Sequence, residues 1–190
     1  MTQSSALNEG LDPRSVANLI LALREKPTTN LELQKLLYFV HGTYLTRTKA
    51  PLVSGYFEAW THGPVHTAAY SAFKKFGAAP ISIRAVKKDL RTGKTTEVPE
   101  PDDRVVRRLI RQSIDALGDL SAGQLVTMSH ARDGPWDAVF SRSKSETMLG
   151  LRISNELILE RFKNHRMSAC QLNEVDEPDE DTPLTYHRFG

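Results

Sequence analysis

The segment from Thr29 to Tyr44 constrains this chain more than any other. Thr29 and Glu32 stand three residues apart, the spacing of a capping box, in which a hydroxyl accepts an orphan first-turn N–H and the carboxylate returns to the cap. Leu33, Leu36, Leu37, Val40 and Tyr44 then follow at helical spacing, forming one apolar stripe through LELQKLLYFVHGTYL. The expectation is a central helix on which the others pack. Gly42 falls inside it at a cost of about 1 kcal/mol relative to alanine, which predicts a closely passing backbone or a bend.

Further helices are read on either side. Asp12-Pro13 is an N-cap followed by a first-turn proline, and Val16, Leu19, Ile20 and Leu23 continue at helical spacing until Pro27. Pro51 to Trp60 reads as an extended or strand-like connection. Pro64 suits the start of a short helix carrying Val65, Ala69, Ala72, Phe73 and Phe76 and closed by Gly77. Alternation through Ile81, Ile83 and Ala85, with Gly93 in a turn, predicts a β-hairpin up to TTEVPE. Val105, Val106, Leu109, Ile110, Ile114 and Leu117 form the inner face of a helix opened by Glu100-Pro101, with Gly118 at its end. Ser121 and Gln124 make a second capping box, Asp133 to Trp136 breaks that helix into a brief turn, and Ser154 caps a last one. The fold class expected is mainly α (α+β), a compact bundle of about six helices with one small β-hairpin. Residues 1–12 are expected to be a flexible N-terminus, 13–167 a single helical domain and 168–190 an acidic tail.

With 39% hydrophobic and 25% charged residues among 190, the composition is that of an ordinary soluble domain. No apolar run nears the roughly 18 residues of a membrane span, so neither membrane partner nor export is expected and the location reads as cytoplasmic. The net charge of +2 is unevenly distributed. Residues 168–190 carry six acids and one base, which is −5, leaving +7 on the remainder. A basic body with an acidic tail fits a polyanion or an acidic protein face, and the tail can compete for that surface.

Catalytic patterns are absent: there is no nucleophile elbow, P-loop or dinucleotide fingerprint. The one cysteine, Cys170, lies in the tail and lacks an activating pocket. His62 and His66 have i, i+4 spacing, but with Pro64 starting a helix His62 falls in a loop, and no zincin glutamate lies between them. No metal, no cofactor and no enzymatic activity are expected. Arg104, Arg107, Arg108 and Arg111 recur on one helical stripe, suited to carboxylates or phosphates. Nucleic acid is thus one partner class, although no base-stacking aromatics interleave the arginines. A solvated helix face is the plainer reading of the stripe.

Two blocks, LQKLLYFVHGTYLTRTKAPLVSGYFEAWTHGPVHTAAYSAFKKFG and GQLVTMSHARDGPWDAVF followed by Ile153, Ser154 and Ile158, together resemble the SocA-type, or Panacea-domain, antitoxins. Lys35, Tyr38, Glu58, Gly63, Pro64, Val65 and Pro135, with Trp60 and Trp136, fall at the positions of that family's signature. The resemblance implies a mostly helical fold that neutralises a cognate protein toxin by contact, with one member type acting as a proteolytic adaptor that delivers its toxin to ClpXP. Candidate partner contacts are Tyr56, Trp60, His62, Trp136 and the arginines Arg104, Arg107, Arg108 and Arg111. A basic nucleic-acid-binding or autoregulatory protein is the alternative.

Overall fold

The computed structural model describes residues 10–143 and 151–165, and Pro178, Asp181 and Pro183 of the C-terminal segment. Most of the expected N-terminal segment and acidic tail, with Cys170, lies outside the described residues. Seven α-helices and two small sheets are found among the described residues, so the fold is mainly α with some β.

The central helix forms as expected. Helix α1 (Pro13–Leu23) is capped by Asp12, whose side chain accepts the Arg14 N–H, and α2 (Asn30–Thr48) carries the full Thr29–Glu32 capping box. Every residue from Asn30 to Gly42 is buried, so α2 has no solvated face in its first three turns. Its polar positions are each satisfied instead. Asn30 Nδ2 donates to the Tyr70 carbonyl, and Gln34 donates to Asn30 and accepts from the His66 N–H. Glu32 meets Arg24 at 2.7 Å, and His41 bonds Asn155 at 3.0 Å. Buried polar groups left unpaired would cost on the order of 1–3 kcal/mol each, so these partners fix the positions of the surrounding elements.

At Gly42 neither a passing backbone nor a bend is needed to account for the glycine: the neighbour is the Phe162 ring, which lies where a Cβ would stand. That ring belongs to a 3₁₀ turn, Phe162–His165, following α7 (Asn155–Arg161), and it packs among Tyr38, Phe39 and His165.

Beside α2 lies a three-stranded sheet, of which only the strand-like character of Pro51 to Trp60 is expected from the sequence. Strands β1 (Phe57–Trp60) and β2 (Gly63–Val65) form a tight antiparallel pair, and the chain reaches β5 (Arg152–Ile153) much later to pair with the other side of β1. Pro64 is therefore a strand residue opposite Ala59, and the helix that follows, α3 (Thr67–Phe73), begins only after His66. A proline at the edge of a sheet costs no ladder bond, which reconciles it with β2.

The predicted hairpin is β3 (Val86–Lys88) and β4 (Thr95–Glu97), shorter than the alternation suggested and exposed on both strands. Its base is held by buried Asn18 of α1, which accepts from the Ala85 N–H and donates to the Val98 carbonyl, both at 2.8 Å. Helix α4 (Arg104–Leu117) starts after Asp103, which caps two amides, and buries Val106, Ile110 and Ile114. Val105, expected inside, is 53% exposed, because it lies beyond the apolar arc set by those three. Helices α5 (Ala122–Ser129), with its Ser121–Gln124 capping box, and α6 (Pro135–Ser143) complete the bundle. The stretch after Asp133 is thus a full helix rather than a brief turn.

Candidate functional site

The two Gly-Pro segments, Gly63-Pro64 and Gly134-Pro135, are brought together through their tryptophans, and the first of them also packs on Lys35 of α2. Trp136, in the first turn of α6, donates its indole N–H to the Trp60 carbonyl at 2.8 Å, which ties α6 to the end of β1. His130, just after α5, stacks on the Trp136 ring at 3.7 Å, and Phe140 also stacks on it at 4.6 Å. Trp60 turns its own indole N–H to Glu58 at 3.0 Å and sets its ring edge-on to Tyr70. With exposures of 7% and 6%, Trp60 and Trp136 are both buried.

Gly63 explains why the β1–β2 turn requires its glycine. Its φ is +107°, and a Cβ there would collide with Ser129 Oγ of α5 and come within 3.3 Å of Lys35 Cε. Only a residue without a side chain lets the turn approach α5 and α2 so closely. Pro64 then presents its carbonyl to Lys35 Nζ at 3.2 Å, and Val65 is fully buried.

Lys35 itself is completely buried. Its ammonium is bonded by Pro64 and by Asp181 Oδ2 at 2.5 Å, a carboxylate arriving from the C-terminal segment. Asp181 Oδ1 accepts the His62 amide at 3.0 Å, and Pro183 forms an antiparallel bridge with Trp60. Burial pushes the Lys35 ammonium below its ordinary value, and the Asp181 charge and hydrogen bond oppose that shift. Burial likewise lowers the His130 imidazole to about 4, with the positive charges of Lys35 and His62 adding to the effect and Asp137 opposing it. His130 is thus a neutral ring at physiological pH.

The remaining candidate residues are dispersed. Tyr38 sits in the core beneath the sheet, its ring edge-on to Phe39 and Phe57 and its hydroxyl 3.4 Å from His165. Tyr56 is half-buried and stacks under the Arg152 guanidinium at 3.8 Å. Pro135 opens α6. Arg104, Arg108 and Arg111 are exposed on α4, whereas Arg107 is bound to Glu100 and to the Pro101 carbonyl. The arginine stripe and the Gly-Pro site therefore belong to different elements. His62 and His66 do not converge either: His66 is directed to the Ser54 carbonyl at 2.8 Å, and no group of three or more metal-ligating side chains occurs among the described residues. No helix among them is long and apolar enough to cross a membrane.

The sequence reading missed Asp181 as a site residue. It stands among six acids with no local pattern to distinguish it, and only the chain's return to α2 singles it out.

The span that holds this site, residues 33–137, matches the family described as Antitoxin SocA-like, Panacea domain. The chain is also 42% identical over 164 residues to Antitoxin SocA of Caulobacter vibrioides (strain NA1000 / CB15N), covering 85% of this chain and 87% of that protein. No solved structure matches it. A family match over more than half of the chain, together with 42% identity across 85% of it, makes this protein a member of the SocA-like, Panacea-domain antitoxin family.

Proposed function

We propose that this protein is an antitoxin that binds and neutralises a cognate protein toxin. The observation that carries the reading is its 42% identity, over 85% of its length, to a protein that is itself an antitoxin. The geometry is consistent with recognition rather than bond breaking. The Lys35 ammonium and the His62 amide hold a carboxylate, and the nearby Ser129 hydroxyl donates to the Val126 carbonyl rather than to a base. A pre-formed helical domain with a few buried anchors suffices for nanomolar protein binding.

Neutralisation takes one of two forms, masking the toxin or delivering it as a proteolytic adaptor to ClpXP; delivery is the form the family resemblance suggests. The test is to look for a small open reading frame beside this gene whose product is toxic alone, and to co-express the two. Growth should be restored when both are present, and toxicity unchanged by this protein would overturn the proposal. In the same cells the toxin's half-life separates the two forms: it shortens, in a ClpXP-dependent way, for an adaptor and lengthens for a mask.

A further inference from the structure

Lys35 is the most unusual group in the molecule. A fully buried ammonium carries a desolvation cost of several kcal/mol unless a carboxylate meets it in good geometry. Everything that shapes its pocket comes from within residues 33–137: the lysine on α2, the Pro64 carbonyl, the His62 amide and the Trp60 backbone. The carboxylate does not. Asp181 is supplied from 146 residues away, outside that span, from the segment in which acids outnumber bases six to one.

The manner of attachment is that of a bound peptide. The register of β5 on β1 covers Phe57 and Glu58, the Ala59 N–H bonds the Leu151 carbonyl, and the last residue of β1, Trp60, bridges Pro183 in antiparallel sense. Pro183 thus adds to the end of β1, while the side chain of Asp181, two residues before that bridge, enters a specific pocket. This is the division of labour seen in strand-addition recognition, in which main-chain pairing supplies affinity and a pocket supplies specificity.

We propose that the Lys35 ammonium, the His62 amide and the strand edge at Trp60 form a receptor for an extended, aspartate-bearing segment of the partner toxin, which Asp181 and Pro183 fill in its absence. The identity of the partner rests on the antitoxin reading; the receptor itself does not. Its specificity follows from the chemistry. A carboxylate is required to neutralise the lysine, and its second oxygen is required by the His62 amide, so an asparagine or a hydroxyl at the same place leaves the buried charge unmatched.

The experiment uses the full chain and a fluorescein-labelled peptide of residues 176–186, DEPDEDTPLTY, followed by anisotropy. Asp181→Ala should bind it at least about tenfold more tightly than the wild-type chain, whose attached segment competes at an effective concentration of order millimolar. Lys35→Met in the Asp181→Ala background should lose at least tenfold, and so should a peptide with asparagine at the position of Asp181. Equal binding with and without Lys35, equal binding of the asparagine peptide, or no binding to folded Asp181→Ala overturns the proposal. If circular dichroism finds Asp181→Ala unfolded, Asp181→Asn takes its place. Should both unfold, the ion pair is a fixed part of the fold rather than an exchangeable ligand, and the proposal fails. Co-expression separates the two claims: loss of rescue by the wild-type chain removes the antitoxin reading and leaves the peptide result standing. Full rescue by Lys35→Met alongside Lys35-dependent peptide binding removes the toxin as the occupant.

Discussion

Replacing Gly42 by alanine sets two opposed effects against each other. In an isolated helix interior the change should stabilise by about 1 kcal/mol, because glycine gives up the most backbone freedom on folding. Here the new methyl would stand 2.5 Å from Phe162 Cζ, with Cδ2 and Cε2 of the same ring closer still. Carbon atoms do not approach within 3.0 Å without displacement, and moving the half-buried ring disturbs its packing on His165 and Tyr38, 4.9 Å and 6.1 Å away between centroids. Overpacking of this kind costs about 1–3 kcal/mol, so the net expectation is a loss of up to about 2 kcal/mol once the propensity gain of about 1 kcal/mol is subtracted. For a chain of this size that is a fall in Tm of up to about 8 °C. The diagnostic measurement is urea unfolding followed by circular dichroism across the double-mutant cycle with Phe162→Ala. With the ring removed, Gly42→Ala should become neutral or stabilising by up to about 1 kcal/mol, giving a coupling of about 1–3 kcal/mol. An unchanged effect in the two backgrounds would refute the assignment of this glycine to the Phe162 contact.

Acid should destabilise the fold through its buried histidines. His41 and His130 are each lowered to about 4, in both cases chiefly by burial, and burial lowers His66 and His165 as well. The unfolded chain binds protons near pH 6.5 and the folded chain does not, so this stability is present above pH 6.5 and is lost as pH falls toward 4. At pH 5 the first two rings together cost about 4 kcal/mol, and stability by urea unfolding that stays level between pH 7 and pH 5 would count against neutral burial. Arg24, after the end of α1, binds Glu32 and donates to the carbonyls of Gly118 and Leu120, joining α1, α2 and the loop after α4. Arg24→Ala should cost about 3–5 kcal/mol by leaving that carboxylate buried and unmatched, and a loss below 1 kcal/mol in the same assay would contradict this role.

Local signals were legible wherever they act over a few residues. The capping boxes at Thr29 and Ser121, the Asp12 and Ser154 caps and the Gly93 hairpin turn all stand where the sequence places them, because each is a contact among near neighbours. The β1–β2–β5 sheet was not legible. Its strands are two to four residues long, too short for a period to declare itself, and β5 joins β1 only through the folding of all that lies between them. The same limit hid the polar side of α2, where Asn30, Gln34, Lys35 and His41 read as hydrophilic yet each is buried with a partner supplied from far along the chain.

By itself the sequence determined that this is a mainly helical protein organised on the helix that follows Thr29, and that its Gly-Pro segments mark it as SocA-like; helix periodicity, caps and a linear motif are all written in contiguous residues. Only the tertiary structure decided that the two motifs form one site, that the tryptophans in them are buried, and that a carboxylate from the acidic tail closes the site over Lys35. The physical reason is range: an ion pair spanning 146 residues leaves no local trace, and the lysine's burial is a property of the helices packed around it.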